Sequence, residues 1–574
     1  MSEDTTKTPQ IRLADGTLLN PFIEKLLLQR GIFGEEAIKT FLEPKLKSLP
    51  SPSLLKDIDI AIKIIEEALS NNKNILIWGD YDVDGTTATA LLIVFFRSIG
   101  FEADYYIPNR LTEGYGLQKE GLRAISRDKE PSNTVLITVD NGISAHDAVA
   151  FARELGYQTI ITDHHVPPPV RVNANAVINP NQETCNFPDK TLAGVGVAFY
   201  LAMATRNHLQ RQGVFDESRP APNLKQLLDL VAVGTVADMV PLEGVNRVLV
   251  RAGMETLAQE GNQGLTALCR RCNLDSRCIR SEDISFQLAP KINAAGRLGE
   301  ADKAIHLFLS QSKNDSIAIA KDLVKNNERR KLINLGDFAK AKDEVAEGAR
   351  PHDFSIVVAG GYHVGVAGIV ASSLVEEYKK PSIVLCDIGD GILKGSARSV
   401  PGADLHRALR ECQGVLLGFG GHKMAGGMSL TRDSLDTFRL LFDESIKEQL
   451  AGQPTDITGS VDADIEIKEL FGRGVLRQLH LLEPFGQGNP QPVFRDTSSK
   501  ISEISTIGKA KDHLRLSFGT NGNAIKGVAF GLGGLAGECR MNKDKEILYT
   551  PSINFFKGKR TWQVRVTSIN FNSP

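Results

Sequence analysis

The stretch Lys73–Gly100, KNILIWGDYDVDGTTATALLIVFFRSIG, decides the fold. It opens on NILIW, a short apolar run whose length and bulk read as a buried β-strand. The run breaks off at Gly79 into three acids at alternate positions, Asp80, Asp82 and Asp84. TATALLIVFFRSIG then reads as a buried helix that closes on Gly100. An amphipathic helix, DIAIKIIEEALSNN (59–72), precedes the unit, and the pattern recurs after it. TVLITVDNG (134–142) is a strand, AHDAVAFARELG (145–156) a helix and QTIITDHH (158–165) a strand. Strands alternating with helices predict a parallel α/β sheet. In such sheets ligands bind beyond the carboxyl ends of the strands, where all three polar groups fall.

On the N-terminal side, residues 1–50 read as a small helical lead-in. NPFIEKLLLQRG (20–31) and GEEAIKTFLEP (34–44) have helical apolar spacing and end at Gly31 and Pro44. The first α/β unit occupies 51–298, with a helical stretch at 224–260. Residues 299–350 are highly charged and read as a solvated connecting helix. A second α/β unit begins at FSIVVAGGYHVG (354–365) and fills 351–452. AGQPTDITGS (451–460) is a linker by composition. From there to the end, 453–574, strand signals dominate: HLRLSFGT (513–520), AIKGVAFGL (524–532), EILYTPSINFF (546–556) and TWQVRVTSINF (561–571). Several short strands in about 110 residues predict a small barrel or sandwich.

Composition narrows the class. At about 150 residues per domain, 574 residues suggest three or four domains. Hydrophobic residues at 42% and charged residues at 24% exclude wholesale disorder. Lys and Arg number 67 against 69 Asp and Glu, so any nucleic-acid site must be a local patch. The longest strongly apolar run, Ala88 to Phe96, is about half of the ~20 residues a spanning helix needs. Met1 to Gln10 is polar with acidic residues, unlike a secretory signal. Seven cysteines in this length form no disulfide framework, so the expected setting is cytoplasmic with reduced thiols. Cys269 and Cys272 form a CxxC near Cys278, but no fourth zinc ligand follows at sensible spacing.

The chemistry concentrates in four groups. Asp80, Asp82 and Asp84 repel one another unless a cation sits among them. An EF-hand loop needs a preceding helix and a glutamate six residues after its glycine, where this chain has Leu91. Asp140, in VDNG, is weak alone, because Asp-Asn-Gly is a common turn. His164 and His165 follow Asp163; adjacent histidines diverge, so both bind metal only where two ions lie nearby or one is bridged. Asp238, in GTVADMVPL (234–242), is either a capped buried acid or a ligand. Oxygen and imidazole donors suit Mn²⁺ or Mg²⁺ better than Zn²⁺. A pair of ions about 3.5–4 Å apart is the usual device for hydrolysing phosphate esters.

The order DYDVDG (80–85), VDNG, DHH and GTVADMVPL resembles the DHH phosphoesterase superfamily. NAAGR (293–297), GSARS (395–399), GGHKMAGG (420–427) and EPFGQGNP (483–490) are similar to the RecJ family of single-stranded-DNA-specific exonucleases. The likeness runs in order from about residue 50 to the end. It implies a parallel-sheet DHH domain, a long connecting helix, a second α/β domain called DHHA1 and an all-β OB-fold barrel at the C-terminus. It implies a 5′→3′ exonuclease on single-stranded DNA, in repair and recombination, working with two Mn²⁺ or Mg²⁺ ions.

Residue by residue, the resemblance makes Asp82, Asp84, Asp140, His164, His165 and Asp238 metal ligands, with Asp80 and Asp163 as ligands or their supports. His422 matches a group that faces the substrate phosphate from the second α/β domain. Arg110, Arg297, Ser396 and Arg398 match a pocket for the 5′-terminal phosphate, and guanidinium forks suit phosphate. Asn293 joins the substrate-binding set. In the C-terminal domain Lys557, Lys559 and Arg560 interleave with Phe555, Phe556 and Trp562, a pattern suited to a single strand. The expected partners are single-stranded DNA, a single-strand-binding protein and a helicase; no membrane is expected, and the chain is expected to be a monomer. A smaller-substrate DHH phosphoesterase and a non-catalytic DNA-binding scaffold are the rival readings. Because each α/β domain should hold its own core, truncation after about residue 452 is expected to leave a nuclease with weak DNA affinity.

Overall fold

Five parallel strands form the first sheet, in the order β2-β1-β3-β4-β5: β1 (Asn74–Trp78), β2 (Asp104–Tyr106), β3 (Thr134–Val139), β4 (Gln158–Thr162) and β5 (Ala176–Ile178). This computed structural model describes residues 11–348, 354–451, 461–472, 474–519, 524–542, 545–556 and 559–571. β3 is buried on both faces, which is why its sequence is a continuous apolar run rather than an alternation. Successive side chains still point to opposite faces. Ile75, Ile77, Val135 and Ile137 meet the helices Ile58–Ser70, Val83–Ser98 and Gly194–Arg211 on one side. Leu76, Trp78 and Leu136 meet the helices Lys119–Ile125 and His146–Leu155 on the other. The helix Val83–Ser98 is enclosed over nearly its whole length, so TATALLIVFFRS has no polar stripe.

The second sheet is mixed, in the order β6-β7-β8-β10-β9: β6 (Ile356–Gly360), β7 (Ser382–Asp387), β8 (Ile392–Arg398), β9 (Gly418–Gly421) and β10 (Ala425–Thr431). β6 and β7 run parallel and the remaining pairs antiparallel. Between the sheets lies the helix Lys313–Gly348, whose 36 residues span about 54 Å at 1.5 Å each. It is not solvated along its length. Ala320 and Leu323 join the core of the first unit, and Ala341 joins that of the second. Asp337 and Glu344 accept the backbone N–H groups of His363 and Ala359 at 2.8 and 3.0 Å, pinning the helix to the second sheet.

The C-terminal unit is an all-β sheet in the order β11-β12-β16-β17-β15-β14-β13. Its strands are β11 (Ala463–Asp464), β12 (Phe494–Asp496), β13 (Ile501–Ile507), β14 (His513–Phe518), β15 (Ile525–Ala529), β16 (Lys545–Phe556) and β17 (Lys559–Phe571). Among the described residues, the pairing runs from β11 to β13 without a further ladder that closes the ring. Its apolar face is completed by the helical lead-in at the far end of the sequence. Ile23, Leu26, Leu27, Ile38 and Leu42 share one core with Leu479, Leu482, Phe494 and Tyr549. Phe22 and Phe494 have ring centroids 5.6 Å apart, and Asn20 N–H donates to Gln478 Oε1 at 2.7 Å.

Arg247, only 2% exposed, ties this assembly to the first unit. Its guanidinium lies 3.7 Å from the Phe41 ring centroid and donates to the carbonyls of Phe41, Leu481, Leu482 and Glu483. Burial, with Arg251 and Arg30 nearby, lowers its pKa to about 9, which still leaves it charged at neutral pH. Among the described residues, no helix is long and apolar enough to cross a membrane.

The shared core changes what a truncation should do. A chain ending at residue 452 keeps the lead-in but loses the residues that cover it, exposing Ile23, Leu26, Leu27 and Leu42. Residues 51–452 should therefore be more soluble and more thermally stable than residues 1–452, measured side by side by sedimentation and melting. The reverse order would mean that the lead-in folds without its C-terminal partner.

Candidate metal centre

Because β1, β3 and β4 are parallel and in step, their carboxyl ends release three polar segments side by side. Trp78 pairs with Thr138, and Val139 with Thr162. Asp82 caps the helix Val83–Ser98, its Oδ1 accepting from Gly85 N–H at 3.0 Å. Asp84 is 1% exposed and faces the first turn of the helix Gly194–Arg211. Its two oxygens accept from Gly194 and Val195 N–H at 2.7 and 2.8 Å. Gly194 allows this approach: a Cβ there would stand 2.8 Å from Asp140 Cβ and 2.9 Å from Asp84 Oδ2.

Asp140 sits at φ 62°, a left-handed conformation that strains a residue with a Cβ. Its surroundings hold it there. Its N–H donates to Thr162 O at 3.0 Å, and its C=O accepts from the Tyr115 hydroxyl at 2.9 Å. Asn141 donates through Nδ2 to Val139 O and Trp78 O at 2.9 and 3.2 Å. The DHH segment is fixed in the same manner. Asp163 Oδ1 accepts from the N–H groups of His164 and His165 and lies 2.7 Å from His165 Nδ1; Oδ2 accepts from Ile143 N–H at 2.9 Å. Asn181 and Asn179 donate to the carbonyls of His164 and His165 at 2.6 and 2.8 Å. Asp163 is thus occupied in orienting the histidines, and it enters none of the convergent groups described next.

Those groups are three and they overlap: Asp140 with His164 and His165, Asp84 with His164 and Asp238, and Asp80 with Asp82 and Asp140. Within each group the candidate ligand atoms lie within 4.8 Å of one another. His164 Nε2 is 3.1 Å from Asp140 Oδ1, 3.5 Å from Asp238 Oδ2 and 3.9 Å from Asp84 Oδ2. Ligands about 2.1 Å from an octahedral ion stand about 3 Å from their neighbours, so this spacing fits a shared cation. Asp80 Oδ1, Asp140 Oδ1, His164 Nε2 and Asp238 Oδ2 are all buried without a hydrogen-bond partner among the described residues. Four orphaned ligand atoms in one place are costly unless a cation satisfies them. Asp140 is common to two of the groups and joins them, which suits two neighbouring ions.

The electrostatics agree. Burial raises Asp80 and Asp140, and neighbouring carboxylates raise them further. Burial, then Asp82, takes Asp84 up to about 7; burial, then Asp84, takes Asp238 up to about 9. Burial lowers His164 to about 4, so its imidazole is neutral and able to ligate. Burial opposes the charged form of His165 most strongly, but the bond to Asp163 and the charges of Asp163, Asp82 and Asp84 together outweigh it and raise the group.

An arginine group adjoins the acids. Arg110 lies 4.8 Å from the Tyr81 ring centroid, inside the DYDVDG segment. Arg297 donates to Gly365 O at 3.1 Å; burial, then Arg110, Arg330 and Arg398, lowers its pKa to about 9. Gly296 lets the helix Ala289–Arg297 approach the acids, since a Cβ there would stand 2.3 Å from Tyr81 O. Ser396 and Arg398 are two apart on β8 and share a face. Arg330, on the long helix, is the member of this group that sequence reading missed; it lay in a charged run, NNERRK, with no pattern to mark it. Tyr115, Asn179 and Asn181 were missed for a similar reason, being isolated polar residues in loops. Asn293 lines the same cleft as Arg297 and Arg330. His422 lies exposed on the β9–β10 hairpin and enters none of the three acid groups. Lys557 and the side chains of Lys559 and Arg560 lie outside the described residues.

The parallel sheet with an acid and imidazole cage at its carboxyl edge defines a DHH-family protein: residues 74–235 match the model of the DHH family, N-terminal domain. Residues 353–448 match the DHHA1 domain and 461–568 the RecJ OB domain. The chain is 36% identical to the single-stranded-DNA-specific exonuclease RecJ of Dickeya dadantii, covering 97% of each. It is 36% identical to the RecJ of Escherichia coli, covering 96% of each. The crystal structure of RecJ from Thermus thermophilus in complex with Mn²⁺ superposes with a TM-score of 0.78 at 29% identity, over 97% of this chain and 76% of that one. The chain belongs to the RecJ family.

The raised carboxylates set a pH dependence for the metal-free protein. Asp84 and Asp238 hold protons when folded that they release when unfolded, so unfolding loses protons between pH about 4 and the folded values of about 7 and 9. Stability in chelator should therefore fall as pH rises from about 5 to 8, and added Mn²⁺ should restore it most at the upper end. Melting temperatures across that range, with and without metal, check this; metal stabilisation equal at both ends would contradict it.

Proposed function

We infer that this chain is a metal-dependent exonuclease that hydrolyses single-stranded DNA from the 5′ end, acting in DNA repair and recombination. The observation that carries the reading is the cluster of four orphaned ligand atoms next to four arginines, in a chain that matches RecJ proteins over nearly its whole length. Asp82, Asp84, Asp140, His164, His165 and Asp238 would hold two Mn²⁺ or Mg²⁺ ions, with Asp80 beside Asp82 and Asp140. Bound ions of this kind supply an activated water and stabilise charge on the scissile phosphate.

The chain's own side chains supply the rest. Asp163 fixes His165 through Nδ1, leaving Nε2 free to ligate. Arg110, Arg297, Ser396 and Arg398 would receive the terminal phosphate, and Arg330 adds a fifth partner from the long helix. His422 would face the phosphate from the β9–β10 hairpin; β10 pairs with β8 so that Ala425 stands opposite Arg398. Asn293 would contact the strand in the cleft, and the C-terminal sheet, with Lys557, Lys559 and Arg560, would hold its downstream part. The domain reading is a catalytic domain at 51–298, a connecting segment at 299–350, a DHHA1 domain at 351–452, and an OB domain at 453–574 bearing the lead-in, 1–50. A cytoplasmic monomer that works with a single-strand-binding protein and a helicase completes the proposal.

The direct test uses 5′-labelled single-stranded DNA, duplex and cyclic dinucleotide, each with Mn²⁺ and with chelator; hydrolysis confined to the single strand and dependent on metal is expected. Asp82→Ala and Asp140→Ala should each cost more than the ~10–100-fold that loss of an outer partner costs, with DNA binding largely kept. Near-normal cleavage by either variant would overturn the ligand assignment.

A second prediction concerns polarity. Arg297→Ala, Arg330→Ala and Arg398→Ala should each reduce the preference for a 5′-phosphate over a 5′-hydroxyl end by about tenfold to a hundredfold, as expected for one charged hydrogen-bonding partner worth roughly 1.5–3 kcal/mol. The ratio of kcat/KM for the two ends is the measurement. An unchanged ratio in all three variants would move the phosphate pocket elsewhere.

A further inference from the structure

The loop 483–490, EPFGQGNP, enters none of the three ligand groups, yet it closes on the chain four residues past Asp238. Its own carbonyls are held from the first unit and the lead-in. Arg247 and Arg251 donate to Glu483 O at 2.9 and 3.1 Å, Ser281 Oγ to Phe485 O at 2.6 Å, and Arg30 to Pro490 O at 2.8 Å. Asn489, 1% exposed, ties the loop to itself through Leu482 O and Pro484 O at 2.8 and 2.7 Å. From this fixed frame Gln487 O accepts Leu242 N–H at 2.8 Å. Gly486 faces the Leu242 side chain, where an added Cβ would stand 2.7 Å from Cδ1. Leu242 is itself buried in the core of the first unit, so it has little room to retreat.

Asp238 is the ligand that such an anchor serves. Asp84, in the same ligand group, receives two backbone N–H groups and has a side chain only 1% exposed. The side chain of Asp238 is 21% exposed, and its Oδ2 has no hydrogen-bond partner among the described residues. It stands at the end of the helix Leu228–Ala237, and the next residue, Met239, is held at φ 61°, a strained conformation for a residue with a Cβ. Such strain persists only where the flanking structure over-determines it. The helix fixes the chain before Met239, and Leu242, seated on the loop, fixes it after.

We propose that the EPFGQGNP loop positions Asp238: by seating Leu242 it holds the Met239 turn and keeps the Asp238 carboxylate on the group it forms with Asp84 and His164. The proposal rests on the metal-centre reading. It adds that one of the two ion sites is completed across a domain boundary, while the group of Asp80, Asp82 and Asp140 lies within the first unit.

The test reads metal binding rather than hydrolysis. Mn²⁺ is titrated into the full-length protein by calorimetry and by electron paramagnetic resonance, in which two adjacent ions couple and a lone ion keeps its own hyperfine pattern. Wild type should bind a coupled pair. Gly486→Val, which presses on Leu242, should weaken one ion by about tenfold to a hundredfold, leave the other unchanged and yield the lone-ion spectrum at limiting metal. Gly486→Val with Leu242→Ala, which makes room for the added side chain, should regain the pair. In an Asp238→Ala background Gly486→Val should cost nothing further. Phe22→Ala loosens the C-terminal core away from the loop and should bind as wild type does. Gly486→Ala loads the same contact more lightly; it should show a smaller loss of the same ion, and it decides the matter if Gly486→Val does not fold. Wild-type affinity for both ions in the Gly486 variants would overturn the proposal. So would equal weakening of both ions, the same loss in Phe22→Ala, or a loss that adds in full to that of Asp238→Ala. A wild type that binds no pair removes the metal-centre reading as well, whereas a pair kept by wild type and Gly486 variants alike removes the loop's role alone.

Discussion

Mutual repulsion among buried carboxylates is the constraint around which the first unit is built. Asp80, Asp84, Asp140 and Asp163 are each at most 2% exposed, and Asp82 and Asp238 stand beside them. No packing of apolar side chains can make such a group comfortable. Backbone N–H groups at the start of one helix take both oxygens of Asp84, and four donors surround Asp163. Among the described residues, what stays unsatisfied is one atom on each of Asp80, Asp140, His164 and Asp238, which is the shape of a demand for cations. The strained backbone at Asp140 follows from the same constraint. A relaxed conformation there would turn the carboxylate away from the place where the two ligand groups overlap.

A second level of organisation joins the cage to the cleft. The long helix joins the cores of both α/β units and brings Arg330 to the arginines contributed by each of them. Arg247 collects carbonyls from the lead-in and from the C-terminal unit, so the cleft walls are tied through a buried cation. Its charge is solvated by peptide dipoles and an aromatic face, with Glu243 and Glu483 near enough to favour it. The cleft is therefore a property of the whole chain, since Asn293, Arg330, Ile369 and Phe485 come from four separate segments.

Local order explains which parts were legible beforehand. The middle of the parallel sheet was readable because the apolar runs of β1, β3 and β4 end sharply in acids or histidines, and those ends meet whenever strands are parallel and in register; the short edge strands β2 and β5 end in no such group. Asp82, Asp84, Asp140, His164, His165 and Asp238 could be singled out because these candidate ligands come in short, ordered groups, which the structure brings together. The resemblance left Asp163 open as a ligand or a support of one, and in the structure both its oxygens are engaged by backbone N–H groups and by His165. The stretch 299–350 was read as a solvated connector because its composition is charged. The helix instead starts at Lys313 and buries a narrow stripe at Ala320, Leu323, Asn327 and Ala341, too sparse to register as amphipathic. Arg330 was invisible for a different reason. It acquires meaning only from arginines tens of residues away in the chain, and nothing in its own surroundings announces it.

The shared core of the lead-in and the C-terminal sheet has a consequence for the order of events on the ribosome. Residues that cover Leu42 first appear near Ile465, some 420 residues later in the chain. At translation rates of about 5–20 residues per second, the apolar face of the lead-in waits roughly 20 to 85 seconds for its partner. The nuclease sheet, complete by Ile178, can form long before that. The cage can thus fold early while the cleft beside it closes last, when the final strands arrive and draw the two ends of the chain together.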